Sequence, residues 1–160
     1  MSLTIIKGTI VSAPALGQLD ITPGGYLIAR DGVIQGVYPA LPEQYAGAPV
    51  EDYGDDLILQ SFADLHLHGA QYPMLGMGMD LPLLDWLNAY AFPTEARFAD
   101  TGYAREIYRR LARELITNGT TRVCMFSSLH TDATLIPMEE LEKAGVTGYV
   151  GKVNMARNAA

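Results

Sequence analysis

The sequence predicts an α/β protein in which a small β-rich opening precedes parallel β/α units, and three observations carry that reading. From Leu57 onward, apolar segments alternate as strand, helix, strand, helix, strand, the order that builds crossover units and a parallel sheet. Asp31-Gly32 separates two apolar runs, Tyr26 to Arg30 and Val33 to Tyr38, which is a tight hairpin signal near the start of the chain. Between these regions lies Pro39 to Asp56, with prolines at 39, 42 and 49 and little periodicity, which reads as a surface connector. Residues 1–60 are therefore expected to form a small flanking domain with its connector, and residues 61–160 the first β/α units of a larger sheet. The alternation fits a doubly wound sheet and a closed barrel alike.

Each element has its own signal. Thr4 to Val11 is a short apolar strand, and Leu57 to His68 reads as one buried strand. Gly76, Gly78 and Pro82 mark a long loop, followed by a short helix from Leu83 to Ala91. Asp100 or Thr101 can cap a longer helix, whose apolar residues Ala104, Ile107, Tyr108, Leu111 and Leu115 keep helical spacing up to the stop at Asn118-Gly119. Thr120 to Phe126 is β-branched and apolar, Pro137 to Ala144 reads as a helix, and Thr147 to Met155 as a further strand.

Composition narrows the partners. The chain of 160 residues is 49% hydrophobic, enough for a packed core rather than a disordered segment. A net charge of −7 disfavours nucleic acid and anionic membrane surfaces, which need clustered Lys and Arg, and leaves a small molecule as the expected partner. Cys124 is the one cysteine, so no intrachain disulfide forms, and no apolar run approaches the roughly 20 residues of a membrane span. A cytoplasmic location is expected.

The chemistry concentrates in Phe62-Ala63-Asp64-Leu65-His66-Leu67-His68. Regular strand alternation would put Asp64, His66 and His68 on one face and Leu65 and Leu67 on the other. Two neutral imidazoles on one rigid strand make half of a site for zinc or iron, to be completed from other strands. Structural histidines held by backbone hydrogen bonds are the plainer alternative. Asp64 could orient a ligand imidazole from behind, or simply bond to nearby backbone. Gln71 stands three residues past His68 with an amide suited to reading a heterocycle edge, an ordinary loop residue being the plainer reading, and His130, just after the second strand of the parallel sheet, could also face the pocket, structural hydrogen bonding being its plainer role. Lys152 is not assigned to metal, Trp86, Tyr90 and Phe92 read as core, and Cys124 as inert.

These residues together resemble the amidohydrolase superfamily. The likeness rests on Arg30-Asp31-Gly32-Val33-Ile34 followed by Asp64-Leu65-His66-Leu67-His68. His68-Gly69-Ala70-Gln71-Tyr72, Asp80-Leu81-Pro82-Leu83-Leu84-Asp85-Trp86-Leu87, Phe92-Pro93-Thr94-Glu95, Asn118-Gly119-Thr120-Thr121, Leu129-His130-Thr131-Asp132 and Val150-Gly151-Lys152-Val153 are similar to its guanine deaminase branch. Gln60-Ser61 departs from the Pro-Gly usual before the first metal strand.

The resemblance implies the N-terminal part of a (β/α)8 TIM-type barrel beside a small β-sandwich, the barrel being incomplete in this chain. It implies Zn2+ held by His66 and His68, with a further His and Asp from later strands, and Gln71 hydrogen-bonded to a purine. It implies hydrolytic deamination of guanine to xanthine and ammonia, with a glutamate proton shuttle outside these residues, and a homodimer at full length. Another amidohydrolase acting on a cytosine, pterin, triazine or adenosine-type heterocycle remains open. So does a non-catalytic fragment that needs a complementary chain.

Overall fold

A computed structural model describes residues 2–155, and the chain divides into two compact units between Gln60 and Ser61. The first unit is a four-stranded mixed sheet of β1 (Leu3–Ala15), β2 (Gln18–Arg30), β3 (Val33–Tyr38) and β4 (Glu51–Leu59), in the order β3-β2-β1-β4. Asp31 and Gly32 both take positive φ, 51° and 79°, as the tight turn between β2 and β3 requires. A small core joins Ile5, Ile28 and Tyr45, with Ile5 and Ile28 directly opposite each other across β1 and β2.

Three differences from the sequence reading have physical causes. β1 continues past Val11 because a second hairpin, turning at Leu16-Gly17, gives its end a partner; the register breaks between Ser12 and Ala15, which accommodates Pro14 without a ladder hydrogen bond. The Pro39 to Asp56 stretch is more than a connector, since it holds a helical turn, Glu43–Tyr45, and most of β4. Its acidic residues lack strand propensity, but the free edge of β1 supplies backbone partners in parallel, and Lys7 pairs with Asp52 at 2.7 Å. Finally, Leu57 to His68 is two strands rather than one, broken at Gln60-Ser61, so that Leu57–Leu59 completes the first sheet and the metal-binding candidates begin the second.

The second unit is a parallel sheet of β5 (Phe62–His68), β6 (Thr120–Phe126) and β7 (Thr147–Gly151), in the order β5-β6-β7. Short helical pieces fill the β5–β6 connection: a turn at Gly69–Met74, then α1 (Leu83–Trp86), a wider turn at Leu87–Ala91, and α2 (Phe92–Ala96). The helix expected to end at Ala91 thus continues for another turn. α3 (Thr101–Thr117) follows, with Asp100 as its cap: the carboxylate accepts from the Gly102 and Tyr103 backbone N–H groups at 2.8 and 3.1 Å.

All five apolar residues expected along α3 are buried; with Phe98, Val123 and Met125 they form the core on the helix side of the sheet. α4 (Thr131–Ala144) begins six residues before Pro137, the proline that reads in sequence as a helix start. Pro137 is instead an interior residue with its ring fully buried, where packing offsets the hydrogen bond it cannot donate. β7 stops at Gly151, short of Met155.

β7 depends on one glycine. Gly148 lies opposite Val123 with φ 154°, and a Cβ there would overlap the Val123 carbonyl oxygen. Gly148→Ala should lower stability by about 2–4 kcal/mol, as a side chain forced into a filled backbone position does. Thermal denaturation checks this against Gly151→Ala on the same strand, whose added methyl meets only the Met125 carbonyl oxygen at 4.0 Å and whose φ is not left-handed. Equal melting temperatures for the two variants would contradict it.

Candidate metal centre

β5 delivers two imidazoles to one point. The Nε2 atoms of His66 and His68 are 3.2 Å apart and their ring centroids 5.0 Å apart. Two nitrogens bound to a tetrahedral zinc ion at about 2.0–2.1 Å would be separated by roughly 3.3 Å. The spacing therefore fits two ligands of one divalent ion. Among the described residues, no cluster of three His, Cys, Asp or Glu groups exists that could hold the ion alone.

A bulge sets this arrangement. Asp64 is in register with Val123 and Leu67 with Met125, so three steps along β5 face two along β6. Val123 and Met125 both belong to the helix-side core, which puts Asp64 in phase with Leu67. The expectation that Asp64 shares a face with His66 and His68 is corrected accordingly: the extra residue shifts the alternation between them. The Asp64 carboxylate accepts from the His66 backbone N–H at 3.0 Å, fixing the ligand-bearing backbone rather than an imidazole ring.

Phe126, at the end of β6, completes the geometry. It pairs with His68 across the sheet, stacks on that ring at 5.0 Å and 24°, and meets the His66 ring at 5.3 Å. A flat apolar wall therefore limits how both imidazoles can turn. Burial lowers the pKa of His68 below the ordinary imidazole value, the neighbouring His66 lowers it further, and Glu95 opposes both. A neutral ring is the form that binds metal.

Gln71 lies in the turn after β5, and its side-chain amide donates to a Glu95 oxygen at 2.9 Å. Glu95 comes from α2 and is only 8% exposed. A groove between β5 and α3 runs past His66, His68, Gln71 and Tyr72 on one side and Leu111, Glu114, Leu115 and Asn118 on the other. Beneath it the Tyr108 hydroxyl and Ser127 Oγ are 2.8 Å apart in the core, and burial pushes the Tyr108 pKa up to about 12. Gly69, directly after His68, permits this packing, because a Cβ would press on the Met125 sulfur and the Tyr108 ring.

The remaining candidates take other places. His130 precedes α4, its backbone N–H donating to Ser128 Oγ at 3.3 Å, and its Nε2 is buried without a partner among the described residues. None of its hydrogen bonds reaches either imidazole. Lys152 is exposed and donates to Asn154 Oδ1 at 2.8 Å. Trp86 donates from its indole nitrogen to the Met77 carbonyl, and Tyr90 closes over Gly78, so both brace the loop after the site rather than the core. Phe126 and Glu95 are the residues that residue-by-residue reading missed. Phe126 looks like one more apolar strand residue, and Glu95 had a signal only in the Phe92-Pro93-Thr94-Glu95 block.

His68 should titrate below pH 6.5 in the metal-free protein, followed by NMR of its ring protons. The folded chain holds the neutral ring more firmly than the unfolded chain does. Acidification from the ordinary imidazole range down to the lowered midpoint therefore weakens folding, and the stability regained as pH rises again is complete above the ordinary range. A midpoint at or above 6.5 would contradict the assignment of burial as the leading cause.

The Amidohydrolase family model matches residues 57–160. Guanine deaminase from Rattus norvegicus is 47% identical over 103 residues, 64% of this chain and 23% of the relative. Guanine deaminase from Dictyostelium discoideum is 31% identical over an alignment covering 98% of this chain and 39% of the relative. A crystal structure of guanine deaminase from C. acetobutylicum with bound guanine in the active site superposes with a TM-score of 0.92 at 43% identity, covering 99% of this chain and 38% of that one. The chain thus spans less than half the length of these relatives. The parallel sheet carrying the paired imidazoles, together with the matched span of sequence, places the chain in the amidohydrolase family.

Proposed function

We propose that the full-length protein is a metal-dependent deaminase that hydrolyses guanine to xanthine and ammonia. The observation that carries this is the 3.2 Å convergence of His66 and His68 Nε2 at the end of a parallel strand, with the Gln71 amide beside it. The C-terminal ends of parallel strands are where sites form in barrels of alternating strands and helices. β5 to β7 are read as the first three strands of a (β/α)8 barrel, and residues 1–60 as part of its flanking β-sandwich. The barrel reading is supported by the sheet itself, whose helices cover one side while Phe126 and Tyr149, on the opposite phase from Val123 and Met125, stay exposed.

In this reading His66 and His68 hold zinc, and a further His and Asp come from strands beyond this chain. A bound divalent ion would lower the pKa of a contacting water, supplying a nucleophile near neutral pH. The residues of this chain do the rest of the local work. Phe126 restricts the ligand rings, Asp64 fixes the backbone between them, and Gln71 offers an amide to the purine edge. A small heterocycle also suits the chain's charge of −7, which would repel a polyanion.

Replacing His66 or His68 with Asn in the full-length enzyme should remove the bound metal and reduce guanine turnover by about a thousandfold or more, since the nucleophile is lost with the ion. Elemental analysis and xanthine formation are the measurements. Metal retained by both variants would defeat the assignment of ligands. A metal-loaded parent that leaves guanine untouched while deaminating a cytosine, pterin or triazine would move the substrate to another member of the class.

A further inference from the structure

We propose that Glu95 is a specificity-determining positioning residue, which locks the Gln71 amide with its carbonyl oxygen turned to the substrate. This rests on the reading of Gln71 as a substrate-binding group. The two ends of an amide are nearly the same size, and an unconstrained glutamine can present either one. Glu95 removes that choice. A carboxylate only accepts, so the group held 2.9 Å from Glu95 Oε1 is the amide nitrogen, leaving the Gln71 oxygen and one N–H for the groove.

The placement of Glu95 is hard to explain as packing. It is 8% exposed, and no Lys or Arg pairs with it among the described residues. A buried carboxylate without a cation weakens folding, and an apolar side chain of similar volume is often neutral or better there. Among the described residues, its one side-chain hydrogen bond is to Gln71. α2 is the last turn of a helical run that starts at Leu83, so Glu95 sits near the C-terminal end of that run, where the helix dipole does not favour a negative charge. The fold therefore keeps a buried carboxylate behind Gln71, a groove-lining residue, bonded to its amide.

Locking the amide selects substrates. A heterocycle that presents an N–H to the Gln71 oxygen gains a hydrogen bond, whereas one that sets a lone pair against that same oxygen meets another lone pair and is rejected. Substrates are thus amino-heterocycles whose facing edge carries a ring N–H donor.

The test is a double-mutant cycle in the full-length enzyme. Glu95→Leu should raise KM about tenfold with kcat within about threefold of the parent, because a charge-assisted hydrogen bond that orients substrate is lost while the metal is untouched. Glu95→Gln should fall between parent and Glu95→Leu, since two amides can pair in either sense. In a Gln71→Ala background, Glu95→Leu should have no further effect on KM. Metal content should match the parent, and the melting temperature should stay level or rise. Additive effects in the cycle, an unchanged KM, or loss of folding in both Glu95 variants would overturn the proposal. The cycle is run on whichever amino-heterocycle the parent deaminates, so an inactive response to guanine counts against the substrate reading and not against the role of Glu95.

Discussion

The bulge in β5 is the constraint on which the candidate site depends. A strand in perfect register would send Asp64, His66 and His68 the same way and leave the imidazoles competing with a carboxylate for one small volume. One extra residue between Asp64 and Leu67 puts Leu67 into the core and both imidazoles on the phase of Phe126. Asp64 satisfies the backbone N–H that the irregular ladder leaves over. The same residues that interrupt the sheet therefore make its interruption affordable and aim the ligands.

This explains what was and was not legible in the sequence. The helix α3 could be read residue by residue, because burial of Ala104, Ile107, Tyr108, Leu111 and Leu115 follows from period alone and Asp100 is a cap by chemistry. The His-x-His pair was legible for the same reason: alternation over two residues survives the bulge. The position of Asp64 was not, since nothing in Phe62 to His68 announces an inserted residue, and a single step reverses the face. β4 was illegible because it forms on an edge that β1 offers, not on its own acidic residues. Pro137 misled in the opposite direction, as a residue that normally starts a helix can be carried inside one when its ring is wanted in the core.

Rigidity at the site comes from apolar contacts on both sides of the ligand strand. Below, Leu67 packs on the cluster that includes Met125 and Tyr108, and Gly69 lets that cluster approach closely. Above, Phe126 lies against both rings. Phe126 thus limits how far either imidazole can turn toward β6. A metal half-site built this way is organised before the ion arrives, which reduces the ordering that binding would otherwise require. Lowering the pKa of His68 acts in the same direction, because a ring already neutral has no proton to lose when it binds.

In the proposed reading, metal ligation and substrate recognition are held by different elements of the second unit. β5 carries the imidazoles, with β6 behind them, while the turn after β5 carries Gln71 and α2 carries Glu95. Metal ligation is fixed by strand register and aromatic packing, which change only if the sheet changes. Orientation of the amide is fixed by one charged hydrogen bond from the last turn of the helical run that starts at Leu83. In the reading proposed above, substitution at Glu95 or Gln71 changes substrate preference while His66 and His68 are left as they are.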